Sequence, residues 1–236
     1  MSNIRIADSH IHIFPDKMDF NVDKIYLLNA TDLESSYKVV DYCQKWSNLV
    51  GFVGFHPYFV DNHSEADLQR LESILKKNVN LNVGEIGLDK TKKGSRFDKQ
   101  LSFFDFQLDL AIKNSRLVSI HCVRSFDILY GIFKHKGVTG ISGLLHRFEG
   151  SYEDAIRCVD YGLMLSINPN IHRHPSQIEV FKKIPLNRII LETDAVDYES
   201  SLSLEDHYKK CSGYLDISSI KFKELVYKNI SRLLSL

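Results

Sequence analysis

The chain has 236 residues, 44% of them hydrophobic and 25% charged, a globular profile able to bury a sizeable core. Thirty Lys plus Arg balance thirty Asp plus Glu, so no global field advertises nucleic acid or an anionic membrane, and an anionic ligand must be held locally. Cys43, Cys122, Cys158 and Cys211 are widely spaced without a C-x-x-C, which excludes a disulfide framework and implies reduced thiols.

The N-terminus lacks a cationic segment followed by an apolar core, and no apolar run approaches the roughly 20 residues of a membrane helix. A cytoplasmic protein without membrane association is expected. The first element is IRIADSH (4–10), continuing into Ile11 and His12. Strand side chains alternate, so Ile4, Ile6, Asp8, His10 and His12 would share one face. Two readings follow: a polar strand end with solvated histidines, or the imidazole pair of a metal site.

Further strand-like runs follow at 24–30, 51–55, 81–87, 117–122, 141–146, 163–168 and 188–194, making eight. Helical patterns lie between many of them. SEADLQRLESILKKN (64–78) opens on a Ser64–Asp67 capping signal and repeats Leu68, Leu71 and Leu75 at helical spacing. FDKQLSFFDFQLDLAIKNS (97–115) is a long amphipathic segment. SYEDAIRCVDYG (151–162) starts on Ser151 with Asp154 and stops at Gly162. KFKELVYKNISRLLSL (221–236) closes the chain as a helix. Strands alternating with helices mean a parallel sheet with right-handed crossovers, and eight units in this length favour an α/β fold of (β/α)8 TIM-barrel type. No linker, charge block or composition break interrupts it, so 1–236 is expected to be one domain.

The ionisable residues fall at strand ends: His10 and His12 on the first, Glu85 on the fourth, His121 on the fifth, His146 on the sixth, Asp194 on the eighth. In such a barrel these ends converge on one mouth. Four imidazoles and two carboxylates there repel one another or hold metal, and they suffice for two ions sharing a carboxylate. Taken singly, each could be an ordinary hydrogen-bonded strand-end residue.

At this point the sequence resembles the TatD-type metal-dependent deoxyribonucleases of the amidohydrolase superfamily, nearly end to end. DSHIH (8–12) is similar to the D-x-H-x-H opening of that family and GFHP (54–57) to its G-x-H-P segment. VGEIGLD (83–89), HRFEG (146–150), IPLNRIILETDA (184–195) and VYKNISRLL (226–234) resemble further family segments in the same order. The resemblance implies a hydrolase of the metal-dependent type that cleaves phosphodiester bonds through a hydroxide activated by two divalent ions (zinc, magnesium or manganese). It implies that His10, His12 and Asp194 hold one ion and Glu85, His121 and His146 the other, with Glu85 bridging.

Asp194 is the natural proton acceptor, since a carboxylate on the ion can also touch the attacking water. Asp8, one pleat deeper than the histidines, and Glu192, two residues before Asp194, are read as supports for the ligands. For Glu192 a salt bridge inside the barrel is the competing reading. His56, Arg124 and Arg147 are the candidate phosphate contacts. Lys90, Lys92, Lys93 and Arg96 either guide an anionic strand or form a solvated loop. Tyr58 and Phe59 could stack a base or simply pack. NIHRHP (170–175) holds a second H-x-H without nearby acids and is read as an exposed loop, with His172 or His174 within possible reach of substrate. Cys122 should point away from the metals, opposite His121.

Departures from the family pattern fall in the loops. Lys90 follows G-L-D in place of an aromatic residue, Arg124 stands one place later than usual, Tyr58 replaces a histidine, and Ala195-Val196-Asp197-Tyr198 replaces a proline–tyrosine segment. All six ligand positions are kept, so substrate identity is affected more than hydrolytic chemistry. DNA, as single-stranded ends or short fragments cleaved exonuclease-fashion, is the leading substrate. A small ester, lactone or amide is the alternative, and a non-catalytic metal-stabilised binding module the third reading.

Overall fold

The computed structural model describes residues 6–12, 20–91, 96–196 and 203–235. Ile4, Lys92, Lys93, Asp197 and Tyr198, which the sequence reading invoked, lie outside the described residues. Eight parallel strands run in sequential order: β1 (Ile6–Ile11), β2 (Lys24–Asn29), β3 (Leu49–Val53), β4 (Asn82–Asp89), β5 (Val118–Val123), β6 (Gly143–Leu145), β7 (Met164–Ile167) and β8 (Ile189–Leu191). Neighbouring strands pair in parallel throughout, from β1–β2 to β7–β8. The ring closes where Asp194 N donates to His10 O at 3.0 Å and His12 N to Ala195 O at 2.9 Å. The fold is the (β/α)8 TIM barrel expected from the strand–helix alternation.

The helices are α1 (Leu33–Lys45), α2 (Glu65–Lys77), α3 (Phe97–Lys113), α4 (Phe126–His135), α5 (Tyr152–Asp160), α6 (Pro175–Phe181), α7 (Leu204–Tyr214) and α8 (Ser219–Leu234). Their starts follow local chemistry. Ser64 N donates to Asp67 Oδ2 at 2.9 Å at the start of α2, and Ser151 N donates to Asp154 Oδ2 at 3.1 Å at the start of α5, so each acid three residues into the segment serves its cap. Among the described residues no helix joins β1 to β2.

Buried polar side chains on the outer helices fix the strand ends that carry the site. Gln100 on α3 accepts from Asp89 N at 2.8 Å and donates to Asp89 O at 3.1 Å, completing the end of β4. Gln107 on the same helix accepts from Phe55 N at 2.7 Å, just past β3. Asn229 of α8 donates to the carbonyls of Leu186 and Ile189 at 2.8 and 2.7 Å, and Arg232 donates to Asn187 O. The N-x-x-R spacing of the last helix therefore pins the start of β8. At the β1–β8 seam, Tyr208 of α7 donates its hydroxyl to Ala7 O at 2.8 Å and accepts from Ala7 N at 3.3 Å. A buried backbone pair at a seam with few ladder bonds is thereby satisfied by a side chain.

Two features of the strands bear on the site. Strand β4 runs past Glu85 to Asp89, because Gly87, Leu88 and Asp89 stay paired with His121, Cys122 and Val123. Gly87 permits that pairing: a Cβ there would lie 1.9 Å from His121 O. In β1 the pairing register with β2 shifts between Asp8 and Ile11, yet His10 and His12 share a face, both directing Nε2 to Glu85 Oε2.

Candidate metal centre

Glu85 sits at the middle of the mouth with its carboxylate almost fully buried. Five imidazoles surround it. His10 Nε2 is 3.2 Å and His12 Nε2 3.5 Å from Oε2; His121 Nδ1 is 2.9 Å, His56 Nε2 3.3 Å and His146 Nε2 3.6 Å from Oε1. Asp194 Oδ1 lies 3.4 Å from His12 Nε2 on the other side. The six residues read as ligands from the sequence are thus brought to one place, and His56 joins them.

The orientation of each ring is set by what holds its other nitrogen. His12 Nδ1 faces Asn29 O at 3.2 Å, and a carbonyl can only accept, so Nδ1 carries the proton. Its Nε2 then turns a lone pair toward the carboxylates of Glu85 and Asp194. Three acceptors facing one another need a proton or a cation between them. His10 Nδ1 contacts Ser119 Oγ at 3.1 Å, and its Nε2 is buried without a hydrogen-bond partner. Such an orphaned nitrogen, aimed at a carboxylate, fits a metal ligand.

His56 differs. Its Nδ1 accepts from Tyr58 N at 3.0 Å, so the neutral ring carries its proton on Nε2 and donates toward Glu85. Although His56, Glu85 and His121 are close enough to share an ion, this tautomer makes His56 a donor to an anion. His121 Nε2 donates to Asp89 Oδ2 at 3.0 Å, leaving Nδ1 for the centre. Asp89 also accepts from Thr91 N at 2.6 Å. Sequence reasoning gave Asp89 no role; its place at the end of the G-L-D run was the available signal.

Glu192 and Asp8 are both fully buried behind this layer. Glu192 Oε1 accepts from Arg147 N at 3.0 Å and lies 3.0 Å from His146 Nδ1 outside hydrogen-bond alignment, which leaves Nδ1 without a bonded partner. Asp8 engages Thr193, the residue between Glu192 and Asp194, at N (2.9 Å) and Oγ1 (2.6 Å). Asp8 therefore holds the backbone segment that carries Asp194. Arg124, Arg147 and Asp194 all adopt left-handed backbone with φ of 52°, 45° and 57°. Each costs about 1 kcal/mol or more in a residue other than glycine, and such strain concentrates at functional mouths.

The electrostatics follow from this packing. Burial pushes the Glu85 carboxyl upward, but the imidazoles of His56, His146 and His10 outweigh it and hold the group well below the ordinary carboxylate range. Asp194 is likewise driven up by burial and held down by His146 and His12. Burial lowers His10, with His146 adding repulsion. His146 is desolvated yet rises to about 10, because Glu192, Asp194 and Glu85 all face it. Burial lifts Asp8 to about 7. Ionised carboxylates among imidazole nitrogens are the donor set of zinc and its divalent neighbours.

A cavity of about 380 Å³ opens over the cluster, with Tyr58, Phe59 and Val196 on its rim. A second, of about 310 Å³, shares His121, His146 and Arg147 with it and reaches Arg124. Arg147 is partly committed, with Nε on Glu149 at 3.2 Å and Nη1 3.5 Å from Asp194. Of the proposed guiding cluster, Arg96 pairs with Asp61 and Lys90 lies over the Phe97 ring at 5.3 Å. Cys122 is half-buried, with its thiol raised by burial. The NIHRHP segment is not the exposed loop expected for it. Residues Pro169–Arg173 form a 3-10 turn, and His172 is packed on Tyr214 and His207 because Ile171 anchors the turn in the core. His174 is exposed. No helix of the described residues is long and apolar enough to cross a membrane.

Comparison with known proteins identifies the family. A family model described as "TatD related DNase" matches residues 7–235. An Escherichia coli (strain K12) protein, the uncharacterized metal-dependent hydrolase YjjV, is 31% identical over 209 residues, spanning 82% of this chain and 80% of its own. The crystal structure of YjjV, a TatD homologue, superposes with a TM-score of 0.85 at 23% identity over 99% of each chain, which establishes the shared fold. A Klebsiella pneumoniae (strain 342) protein named 3'-5' ssDNA/RNA exonuclease TatD is 28% identical over 172 residues, 72% of this chain and 65% of that one. The chain belongs to the TatD-related DNase family and is a metal-dependent hydrolase.

Proposed function

We propose that the chain is a deoxyribonuclease that cleaves phosphodiester bonds at DNA ends, with two divalent ions held by His10, His12 and Asp194 and by Glu85, His121 and His146, Glu85 serving both. The observation that carries the reading is the convergence of His12 Nε2 on the carboxylates of Glu85 and Asp194, 3.5 and 3.4 Å away, an arrangement that calls for a proton or a cation at its centre. When bound, divalent ions supply Lewis acidity toward a phosphoryl oxygen and a water acidified to near-neutral pKa.

The protein's own groups divide the remaining work. Asp194 Oδ1 faces the centre while Oδ2 faces Arg147, so the carboxylate is oriented to take a proton from a water on the cavity side. His56 Nε2–H points into the cavity and donates to a phosphate oxygen in place of Glu85. Arg124 and Arg147, on the strand ends beside it, neutralise the charge of the same group. Tyr58 and Phe59 supply a face for the terminal base. Relatives named for DNA cleavage, the Klebsiella exonuclease and a Schizosaccharomyces pombe protein named Deoxyribonuclease Tat-D among them, support DNA as the substrate class.

A second reading, hydrolysis of a small ester, lactone or amide, is favoured by two observations. The cavity is the size of a small-molecule site and Arg147 is largely spent on Glu149 and Asp194. The test is to chelate the protein, restore zinc, magnesium or manganese separately, and follow end-labelled single- and double-stranded DNA beside a lactone and amide panel. Stepwise shortening of DNA only with metal supports the nuclease. Cleavage of the small substrates with DNA left intact refutes it.

A further inference from the structure

A second cluster of metal-type donors lies apart from the mouth residues, where the turn after β7 meets α7. His207 and Cys211 stand one helical turn apart on α7, so both side chains leave the same face. His172 approaches from the Pro169–Arg173 turn, and the three donor atoms lie within 4.8 Å of one another. His207 and Cys211 are buried, and His172 is half-buried.

Each imidazole has its other nitrogen held by oxygen. His207 Nε2 donates to Ile167 O at 2.7 Å, which leaves Nδ1 with its lone pair turned toward His172 and Cys211. His172 Nδ1 lies 3.1 Å from Tyr214 Oη, which leaves Nε2 for the shared point. An outer oxygen fixing each ring is the hallmark of histidines that bind metal. The spacings also suit one ion. His172 Nε2 and His207 Nδ1 are 2.9 Å apart, and Cys211 Sγ is 3.5 Å from His207 Nδ1. Tetrahedral zinc, with bonds near 2.05 Å to nitrogen and 2.3 Å to sulfur, separates such donors by about 3.3 and about 3.5 Å.

We propose that His172 Nε2, His207 Nδ1 and Cys211 Sγ bind one zinc ion, clipping the turn after β7 to the helix after β8. Two imidazoles and a thiolate select zinc over magnesium or manganese, which favour oxygen. Without the ion, His172 Nε2–H donates to His207 Nδ1 and the Tyr214 hydroxyl donates to His172 Nδ1. On binding, the His172 proton moves to Nδ1 and is accepted by Tyr214 Oη, while the Cys211 thiol loses its proton to solvent. One proton leaves per ion, and charge and hydrogen bonds balance.

The mouth contains no sulfur ligand, so cobalt(II) distinguishes the two places. The full chain, stripped with chelator, is titrated with cobalt and read in the near ultraviolet, where a thiolate-to-cobalt charge-transfer band reports sulfur ligation alone. The expected result is a band whose final amplitude corresponds to one sulfur-bound cobalt per chain once the mouth is also filled, bleached by zinc and absent in Cys211→Ser. That variant should retain the wild-type circular dichroism and the metal-supplemented activity of the parent. Tyr214→Phe, which leaves every ligand in place, should weaken the cobalt band titration about tenfold or more. No band in the wild type, or an undiminished band in Cys211→Ser, overturns the site. Should Cys211→Ser fail to fold, His172→Gln replaces it: an unchanged cobalt affinity in that variant overturns the site equally.

Discussion

Asp89 offers the sharpest test of how the centre is oriented. Its Oδ2 accepts from His121 Nε2 at 3.0 Å. Asp89→Asn keeps an acceptor of the same shape but removes the charge; Asp89→Ala removes both. A hydrogen bond to a charged partner contributes roughly 1.5–3 kcal/mol and a neutral one about 1 kcal/mol. The Asn variant therefore loses about 1 kcal/mol of His121 orientation, and the Ala variant about 2–3 kcal/mol. At 1.4 kcal/mol per tenfold, metal affinity should fall about fivefold in the first and about 30- to 140-fold in the second. The assay is calorimetric titration of the chelated protein with zinc or manganese, with hydrolysis measured at saturating ion. Turnover at saturation should stay within about threefold, because Asp89 is placed to orient a ligand and not to touch the reacting group. Unchanged affinity in Asp89→Ala would refute the argument, as would a collapse of turnover at saturating metal with affinity intact.

Asp194→Asn and Glu85→Ala should each lower turnover by at least about 1000-fold while circular dichroism retains the barrel signature; wild-type rates in either would sink the proposed centre. Asp8 gives a pH signature through its raised folded value of about 7 against an ordinary 3.8. Its contribution is fully present below pH 3.8 and is lost as pH rises through 7, on the order of 4 kcal/mol in all. The difference in stability between wild type and Asp8→Asn, from urea melts of chelated protein, should therefore decline from pH 4 to 7; parallel curves would contradict it. Saturating the mouth with zinc should raise the unfolding free energy by about 2.7 kcal/mol at 100 times the dissociation constant, and Asp194→Asn should reduce that gain. An equal thermal shift in the variant would show that the ion acts elsewhere.

The barrel was legible because its strands are short apolar runs and two helix starts carry self-contained caps, Ser64 with Asp67 and Ser151 with Asp154. The six mouth residues were legible because strand-end position in a barrel converts sequence order into spatial convergence. What could not be read were the contacts made across the chain. Asp89 matters through a strand that continues past Glu85, and that continuation depends on Gly87 passing close under His121. The tautomer of His56, which separates it from the ligand histidines, is set by the amide of Tyr58 two residues on, and needs the turn geometry to be seen. His172 read as solvated because its partners, His207 and Tyr214, lie 35 and 42 residues away.

The seam between β1 and β8 links folding to chemistry. His10 and His12 come from one side of it and Asp194 from the other, and the bonds that close the ring run through these same residues. Asp194 N donates to His10 O, His12 N to Ala195 O, and Asp8 receives Thr193. Opening the seam would therefore separate His12 from Asp194 and dissolve their share of the centre. A cation held by both strands acts as a crosslink over sequence separations above 180 residues, where loop-closure entropy is large. The left-handed turn at Asp194 is stable in this setting because four fixed hydrogen bonds surround it, so the strain at the mouth is balanced by the closure of the barrel itself. Tyr58, Phe59 and Arg124, the proposed substrate contacts on the rim, make none of these closing bonds.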